Sequence, residues 1–193
     1  MNQTLLSEDQ RDALQEMMNI SMGQAARSLA QLIDTQITLS IPTISEASPS
    51  DLAEIFSFGK VTWYARQSFL GQIKGEVLSL IGKNGCEALA ELMDYDMPLT
   101  EVQTQELILE LTNILSGACL SGLSSQLELK TNLNMPTLFN PSASEKSVYS
   151  WSTALLVEVT FSIESFSFNA RVMICMEENS ILTLKKSLDV LVG

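Results

Sequence analysis

The chain has 193 residues, of which 46% are hydrophobic, and its 23 acidic and 11 basic side chains give a net charge of −12. This length and apolar content favour a folded core over a disordered chain. The acidic balance disfavours nucleic acid and anionic membrane as partners, and the lack of histidine excludes Ser-His-Asp catalysis, Cys-His catalysis and histidine-ligated zinc.

The first half of the chain predicts a helix, a strand, a hairpin and a second helix. Ser7-Glu-Asp-Gln10 has the form of a capping box, so it marks the start of the first helix. The expected elements are a helix over 8–33, a strand over 36–43 ending near Pro42, a short helical turn that starts at 48–51 before Phe56, a hairpin of strands 57–68 and 72–82, and a helix over about 84–93.

The second half repeats this plan after a linker at 95–100. Thr100-Glu-Val-Gln103 is again a capping box, at the start of a second long helix. The expected elements after it are strands at about 129–136, 150–162 and 165–176, a loop-like stretch at 137–149, and a final helix at about 179–191. We predict an α/β (α+β) protein with pseudo-two-fold symmetry, in which residues 1–193 form one domain. Its repeats, 8–97 and 100–193, are each helix, three strands and helix, with a largely antiparallel sheet.

The two long helices carry the same residues in the same order, 94 positions apart. The matching pairs are Glu16 and Glu110, Asn19 and Asn113, Gly23 and Gly117, and Pro42 and Pro136. On average residue usage, one match to Glu-x-x-Asn-x22-Pro has a chance of roughly one in 10⁴. Two matches in one register therefore indicate an internal repeat.

In each helix, the glutamate, asparagine and glycine fall on one narrow stripe. Apolar residues such as Leu14 and Leu111 lie on the opposite side, so the polar stripe points away from the core. One such pair is typical of a solvated helix face, but asparagine is a poor mid-helix residue, and its duplication favours a function. The glycine leaves room for close approach to the backbone, whereas the prolines are better interpreted as structural stops.

This pattern resembles the signature of the CheC/CheX/FliY family of chemotaxis phosphatases, Asp/Ser-x3-Glu-x2-Asn-x22-Pro. The first copy matches at Asp12, Glu16, Asn19 and Pro42; the second matches at Glu110, Asn113 and Pro136, with Glu106 in place of Asp or Ser. Two copies in a chain of 193 residues most resemble the stand-alone CheC branch. The resemblance implies a continuous six-stranded sheet with both motif helices side by side and exposed.

A glutamate and an asparagine one helical turn apart suit the positioning of water better than acid–base catalysis. A carboxamide has no useful pKa, but it donates to and accepts from a water, and phosphoryl transfer depends mainly on positioning. The sequence contains no phosphate-cradling glycine loop, no metal-ligand cluster and no activated nucleophile. We therefore expect the substrate to bring its own metal and electrophile.

The resemblance implies the substrate: the phospho-aspartate of a CheY-like response regulator, whose own site holds magnesium. By this likeness Asn19 or Asn113 aligns the attacking water, and Glu16 or Glu110 pairs with the receiver's lysine. Asp12 or Glu106 would be a supporting contact, and the chain would need no cofactor of its own. The alternative is a non-catalytic adaptor that binds a receiver domain or a CheD-like receptor deamidase. Both a monomer and a dimer remain open.

The cysteines and the N-terminus bear on the cellular compartment. Cys86, Cys119 and Cys175 are widely spaced, with no Cys-x-x-Cys pair, which is typical of reduced, buried thiols in the cytosol. The N-terminus lacks the basic region and apolar run of a secretory signal, and no stretch approaches ~20 apolar residues. We expect a cytoplasmic protein that does not span a membrane.

Overall fold

The computed structural model describes residues 5–57, 62–141 and 154–193. The helices in these ranges are α1 (Glu8–Ile33), α2 (Pro49–Ser57), α3 (Cys86–Leu92), α4 (Glu101–Gln126) and α5 (Glu178–Val192). The strands are β1 (Thr38–Leu39), β2 (Thr43–Ala47), β3 (Thr62–Gly71), β4 (Gly75–Gly82), β5 (Thr131–Leu133), β6 (Thr137–Leu138), β7 (Ala154–Ile163) and β8 (Phe168–Glu177).

The strands form one antiparallel sheet that is six strands wide. Its order is β1 and β2 at one edge, then β7, β8, β4 and β3, and then β5 and β6 at the other edge. The predicted mixed fold with a six-stranded antiparallel sheet is therefore confirmed. Each edge strand, however, is broken into two short pieces, at 40–42 and at 134–136.

A pseudo-two-fold axis passes between the central strands β4 and β8. Leu78 is paired with Met173, and Ser79 is paired with Val172. A shift of 94 residues converts either pair into the other, so the spacing of the sequence repeat is also the symmetry of the sheet.

The two halves exchange their edge strands. β1 and β2 pair with β7 of the second half, whereas β5 and β6 pair with β3 of the first half. The hydrophobic pattern predicted the strands but not this exchange, because periodicity carries no information about which strand is the neighbour.

The two faces of the sheet are covered differently. One face packs against α1, α4, α3 and α5 in the main core, which contains Leu14 and Leu111 of the helices together with Val77 and Ile174 of the strands. The other face carries α2, whose Leu52 and Phe56 pack on Leu78 and Met173.

Both motif helices begin where the sequence predicts. Ser7 with Gln10, and Thr100 with Gln103, form complete capping boxes in which each side chain bonds the other residue's backbone N–H. By length and composition alone, α4 is apolar enough to span a membrane. Most of that stretch is buried inside the protein, so its apolar character is explained by packing on the sheet and on α1.

Several predicted strand boundaries were wrong. The strand expected at 36–43 is β1 and part of β2, and the one expected at 129–136 is β5 followed by a break. The loop expected at 137–149 begins with β6, and residues 164–166, expected to include the start of a strand, form a 3-10 turn. Residue 57, expected to start a strand, is instead the last residue of α2. The predictions that fall on 58–61 and 142–153 lie outside the described residues.

Tertiary pairing explains the later end of β3, which runs to Gly71 instead of 68. Phe69, Leu70 and Gly71 pair with β5, and this ladder extends the strand past the expected turn. The turn itself is therefore at 72–74, before β4.

Candidate functional site

The motif side chains of both helices lie on the protein surface. Asp12, Glu16 and Asn19 on α1 are exposed, as are Glu106, Glu110 and Asn113 on α4. Their helices pack side by side, and the two repeated glycines, Gly23 and Gly117, are half-buried. The structure thus brings each Glu/Asn pair together on one outward face, as the helical periodicity predicts.

Two residues that the motif does not contain hold α1 against α4. Gly122 allows the close approach, since a Cβ atom there would lie 2.8 Å from the Cβ of Ser21. Gln126 Nε2 donates across the interface to the Met17 carbonyl and the Ser21 hydroxyl, each at 2.9 Å. This contact therefore contributes to the relative position of the two motif faces.

Pro42 and Pro136 lie in the two breaks of the edge strands. The last ladder bonds before the breaks run from Ser40 N to Thr160 O and from Asn134 N to Ser68 O, both at 2.9 Å. Proline has no N–H with which to continue a ladder, so its position agrees with the interpretation as a structural stop. In the first copy the break is tied to the motif helix, because Gln15 Nε2 donates to the Pro42 carbonyl at 2.8 Å.

Each break also exposes an apolar side chain immediately before the proline. Ile41 is 77% exposed and Met135 is 84% exposed, and the two positions are 94 residues apart. Ile41 precedes Pro42, whose carbonyl accepts a hydrogen bond from Gln15 of α1. Met135 follows Asn134, whose carbonyl accepts a hydrogen bond from Gln67. Each exposed apolar residue is therefore next in sequence to a residue that is tied by a hydrogen bond to α1 or to Gln67.

The asparagine of the second copy is part of a hydrogen-bond network. Gln67 Nε2 donates to Asn113 Oδ1 and to the Asn134 carbonyl, both at 2.8 Å. Gln67 is 1% exposed, and its Oε1 has no partner among the described residues. An unsatisfied buried acceptor costs about 1–3 kcal/mol, so this glutamine is not the residue that stability alone would select.

The glutamate of the second copy is also held. Tyr95 donates its hydroxyl to Glu110 Oε2 at 2.8 Å. Burial, this hydrogen bond and the charges of Glu110 and Glu106 together raise the pKa of Tyr95 to about 12. The phenol therefore stays protonated and remains a donor to Glu110 at neutral pH. Glu110 keeps lone pairs for a second donor, since a carboxylate accepts about four hydrogen bonds.

The first copy is free of such bonds. Among the described residues, neither Glu16 nor Asn19 has a side-chain hydrogen bond. The two motif copies thus share residues and exposure but differ in how their side chains are constrained.

Gly117, one turn beyond Asn113, lies in an open groove of about 500 Å³ between α4 and the edge strand β5. Its lining is mostly small and polar, including Ser121, Ser124 and Thr131. A Cβ atom at Gly117 would meet only Leu133 Cδ1, at 3.9 Å. The space above the glycine is therefore open to a partner.

The cysteines take no part in this surface. All three are buried and unpaired, as the sequence predicts. Burial raises the pKa of Cys86 to about 11 and raises the pKa of Cys119 and Cys175 further, so none is an activated nucleophile. Among the described residues, no group of three Cys, Asp or Glu side chains could hold a metal ion.

Sequence reasoning missed Gln67, Tyr95 and the two exposed apolar residues. A signal for Gln67 is present, because it stands between Ala65 and Phe69 in the alternating inward positions of β3. A polar residue on the buried face of a strand calls for a partner. Tyr95 had no such signal, since it lies in the linker between the halves.

Comparison with known proteins shows a family model and solved structures to which this chain is similar. The model of the CheC-like family matches residues 10–46, which contain the first motif from Asp12 to Pro42. Among solved structures, FliY of Thermotoga maritima superposes with a TM-score of 0.72 at 18% identity, covering 96% of this chain and 98% of that chain.

Two further structures share the fold. The chemotaxis protein CheX of Desulfovibrio desulfuricans has a TM-score of 0.59 at 16% identity, with 84% of this chain and 99% of that chain covered. FliM from a FliM–SpeE complex of H. pylori has a TM-score of 0.69 at 10% identity, with 96% and 97% covered. The family match and the shared fold confirm the predicted resemblance to the CheC/CheX/FliY proteins. The structures that share the fold include FliY, CheX and FliM alike, so the expected likeness to the stand-alone CheC branch stays a prediction.

Proposed function

We propose that this chain is a phosphatase that hydrolyses the phospho-aspartate of a CheY-like response regulator. The observation that carries the proposal is the duplicated, exposed Glu/Asn pair: Glu16 with Asn19 on α1, and Glu110 with Asn113 on α4. The CheC-like match supports it, because the matched residues, 10–46, include the whole first motif.

In the proposed reaction, the receiver domain brings the aspartyl phosphate and its magnesium ion. The asparagine carboxamide enters the receiver's site and holds a water in line with the bond between phosphorus and the aspartate oxygen. The water oxygen attacks phosphorus, that bond breaks, and the products are inorganic phosphate and the free carboxylate, with the water protons passing to phosphate and solvent. The glutamate pairs with the receiver's active-site lysine and fixes the approach.

The charge of the motif faces fits such a partner. Asp12 and Glu16 on α1, and Glu106 and Glu110 on α4, place exposed carboxylates beside each asparagine. In a chain of net charge −12, these faces attract a basic rim and speed encounter at low salt. The exposed Ile41 and Met135 add an apolar element to the contact.

The second candidate function is an adaptor that binds a receiver domain or a CheD-like deamidase without turnover. The fold likeness to FliM, which was crystallised in a complex with SpeE, favours this alternative. A binding protein of this fold has no need of a water-aligning carboxamide, so the duplicated asparagine favours catalysis.

The decisive experiment measures phosphate release from a phosphorylated receiver in the presence of magnesium. We expect wild type to exceed the receiver's intrinsic rate, and Asn19→Ala/Asn113→Ala to return to that rate. The matched control is Asn179→Ala, which removes an exposed asparagine from α5 and should retain full activity. Wild-type turnover by the double variant would overturn the mechanism, whereas binding without turnover by wild type would establish the adaptor.

A further inference from the structure

The two motif copies are not equivalent, and the difference centres on Gln67. We propose that Gln67 is a positioning residue that fixes the Asn113 carboxamide in one orientation and so makes the second copy the preorganised one. This inference rests on the proposed function for its catalytic consequence. Its structural part concerns the orientation and mobility of one side chain.

The orientation follows from the order of donors and acceptors. The Asn134 backbone carbonyl can only accept, so the Gln67 atom 2.8 Å from it is the Nε2 donor. The same Nε2 lies 2.8 Å from an atom of Asn113, which must then be the acceptor Oδ1. Because Asn113 is exposed, the two N–H donors of its Nδ2 group are available for a water or a phosphoryl oxygen.

The network is anchored at the break before Pro136. Asn134 is held on β3 by its backbone N–H, which donates to the Ser68 carbonyl at 2.9 Å, and by its Nδ2, which donates to the Ser68 hydroxyl at 2.7 Å. Because the edge strand stops here, the Asn134 carbonyl is available to Gln67. The break at the signature proline thus contributes to the site, because it leaves this carbonyl free to accept from Gln67.

The first copy lacks the equivalent residue. Ser40 pairs with Thr160 at the first break just as Asn134 pairs with Ser68 at the second, each through an N–H to carbonyl bond of 2.9 Å. Gln67 precedes Ser68, and the residue that precedes Thr160 is the buried Val159. Valine has no donor for a carboxamide, so Asn19 must become ordered on the partner, whereas Asn113 is already ordered.

The kinetic test uses Gln67→Met, which keeps the length and apolar stem of the side chain and removes both the donor and the unpartnered Oε1. In an Asn19→Ala background only the second copy works, and there Gln67→Met should lower kcat by on the order of 10-fold with KM unchanged. In an Asn113→Ala background only the first copy works, and the same substitution should change nothing. General damage to the fold would lower both.

A second measurement is independent of activity. NMR relaxation of the side-chain amide groups should show the Asn113 Nδ2 group as rigid and the Asn19 group as mobile in the free wild-type protein. Gln67→Met should make Asn113 as mobile as Asn19. Equal mobility of the two groups in wild type would overturn the inference, even if the phosphatase is active.

The outcomes also separate this inference from the proposed function. If the Asn19→Ala/Asn113→Ala variant retains turnover, the phosphatase mechanism fails, and the relaxation measurement still decides whether Gln67 orders Asn113. If the double variant is inactive but Gln67→Met has full activity in the Asn19→Ala background, Gln67 is not a positioning residue and the phosphatase proposal stands.

Discussion

Residues of one type are constrained differently in this protein according to their neighbours. Asn19 and Asn113 occupy matching positions on exposed helix faces, yet only Asn113 is bonded to a buried glutamine. Glu110 likewise accepts from Tyr95. These bonds leave Asn113 and Glu110 less side-chain freedom to lose on binding, so under the proposed function we expect the higher kcat from the second copy.

The bond between Tyr95 and Glu110 predicts a pH dependence at the alkaline end. Burial, followed by the Glu110 hydrogen bond and charge, raises the pKa of Tyr95 from 10.0 to about 12. A raised pKa in the folded state means that the neutral phenol stabilises the fold below pH ~10, and that this contribution is lost as the pH rises towards about 12. We expect Tyr95→Phe to lower the free energy of unfolding by about 0.5–1 kcal/mol at pH 8, allowing for solvent screening.

Urea unfolding of wild type and Tyr95→Phe at pH 8 and near pH 11 tests this expectation. The difference between the two proteins should shrink at the higher pH. Glu110→Gln is the matched control, because it removes the charge and should bring the ultraviolet titration of Tyr95 back towards pH 10. A difference between the two proteins that is constant across this range would contradict the assignment.

At the scale of elements, α4 carries two glycines with opposite surroundings. Gly117 faces the open groove, and an added Cβ atom would touch only Leu133 Cδ1, at 3.9 Å. Gly122 faces α1, and an added Cβ atom would lie 2.8 Å from Ser21 Cβ and 3.0 Å from its Cα. The first glycine weakens the helix without a packing reason, whereas the second permits the helix contact.

Alanine at each position should therefore have opposite effects on stability. Gly117→Ala should raise the free energy of unfolding by about 0.5–1 kcal/mol, because alanine is the better helix former. Gly122→Ala should lower it by about 1–3 kcal/mol, because the helices must separate. If a partner approaches the α4 backbone as proposed, Gly117→Ala should also lower kcat/KM despite the gain in stability.

Thermal unfolding and initial phosphatase rates of the two variants decide these points. Gly23→Ala provides a further comparison, since a Cβ atom there has nothing within 4 Å. Full activity in Gly117→Ala would mean that Gly117 does not serve the approach of a partner.

At the scale of the whole molecule, the exchange of edge strands ties the two halves together. β1 and β2 have no partner in the described residues of the first half, because they pair with β7, and β5 and β6 depend on β3 in the same way. The central contact, β4 with β8, also joins the halves. We therefore propose that residues 1–193 form one cooperative unit, although the sequence is a repeat of two.

Separate halves should consequently fail to fold. We expect fragments 1–97 and 98–193 each to lack a cooperative unfolding transition, because each retains a hairpin without its neighbouring strands, and we expect an equimolar mixture to regain it. Circular dichroism and amide proton dispersion of each fragment and of the mixture test this. A single half with native-like dispersion would show that the repeats are independent domains.

The features that the sequence determined by itself are those with local physical causes. The capping boxes at Ser7 and Thr100 depend on residues three positions apart, and the exposed motif stripes depend on the helical period. The shift of 94 residues survives as the pairing of Leu78 with Met173 and Ser79 with Val172. The starts of the long helices, the presence of the strands, the burial of the cysteines and the outward Glu/Asn pairs could be predicted because each depends on nearby residues or on residue type.

Only the tertiary structure decided how those elements are joined. Gln67 and Asn113 are 46 positions apart in the chain, and Gln126 reaches Met17 across 109 positions. No periodicity specifies such partners, because they depend on which strand lies at each edge and on where a proline interrupts it. The exchange of edge strands, the breaks beside the motif helices and the unequal constraint of Asn19 and Asn113 therefore became visible only in the folded chain.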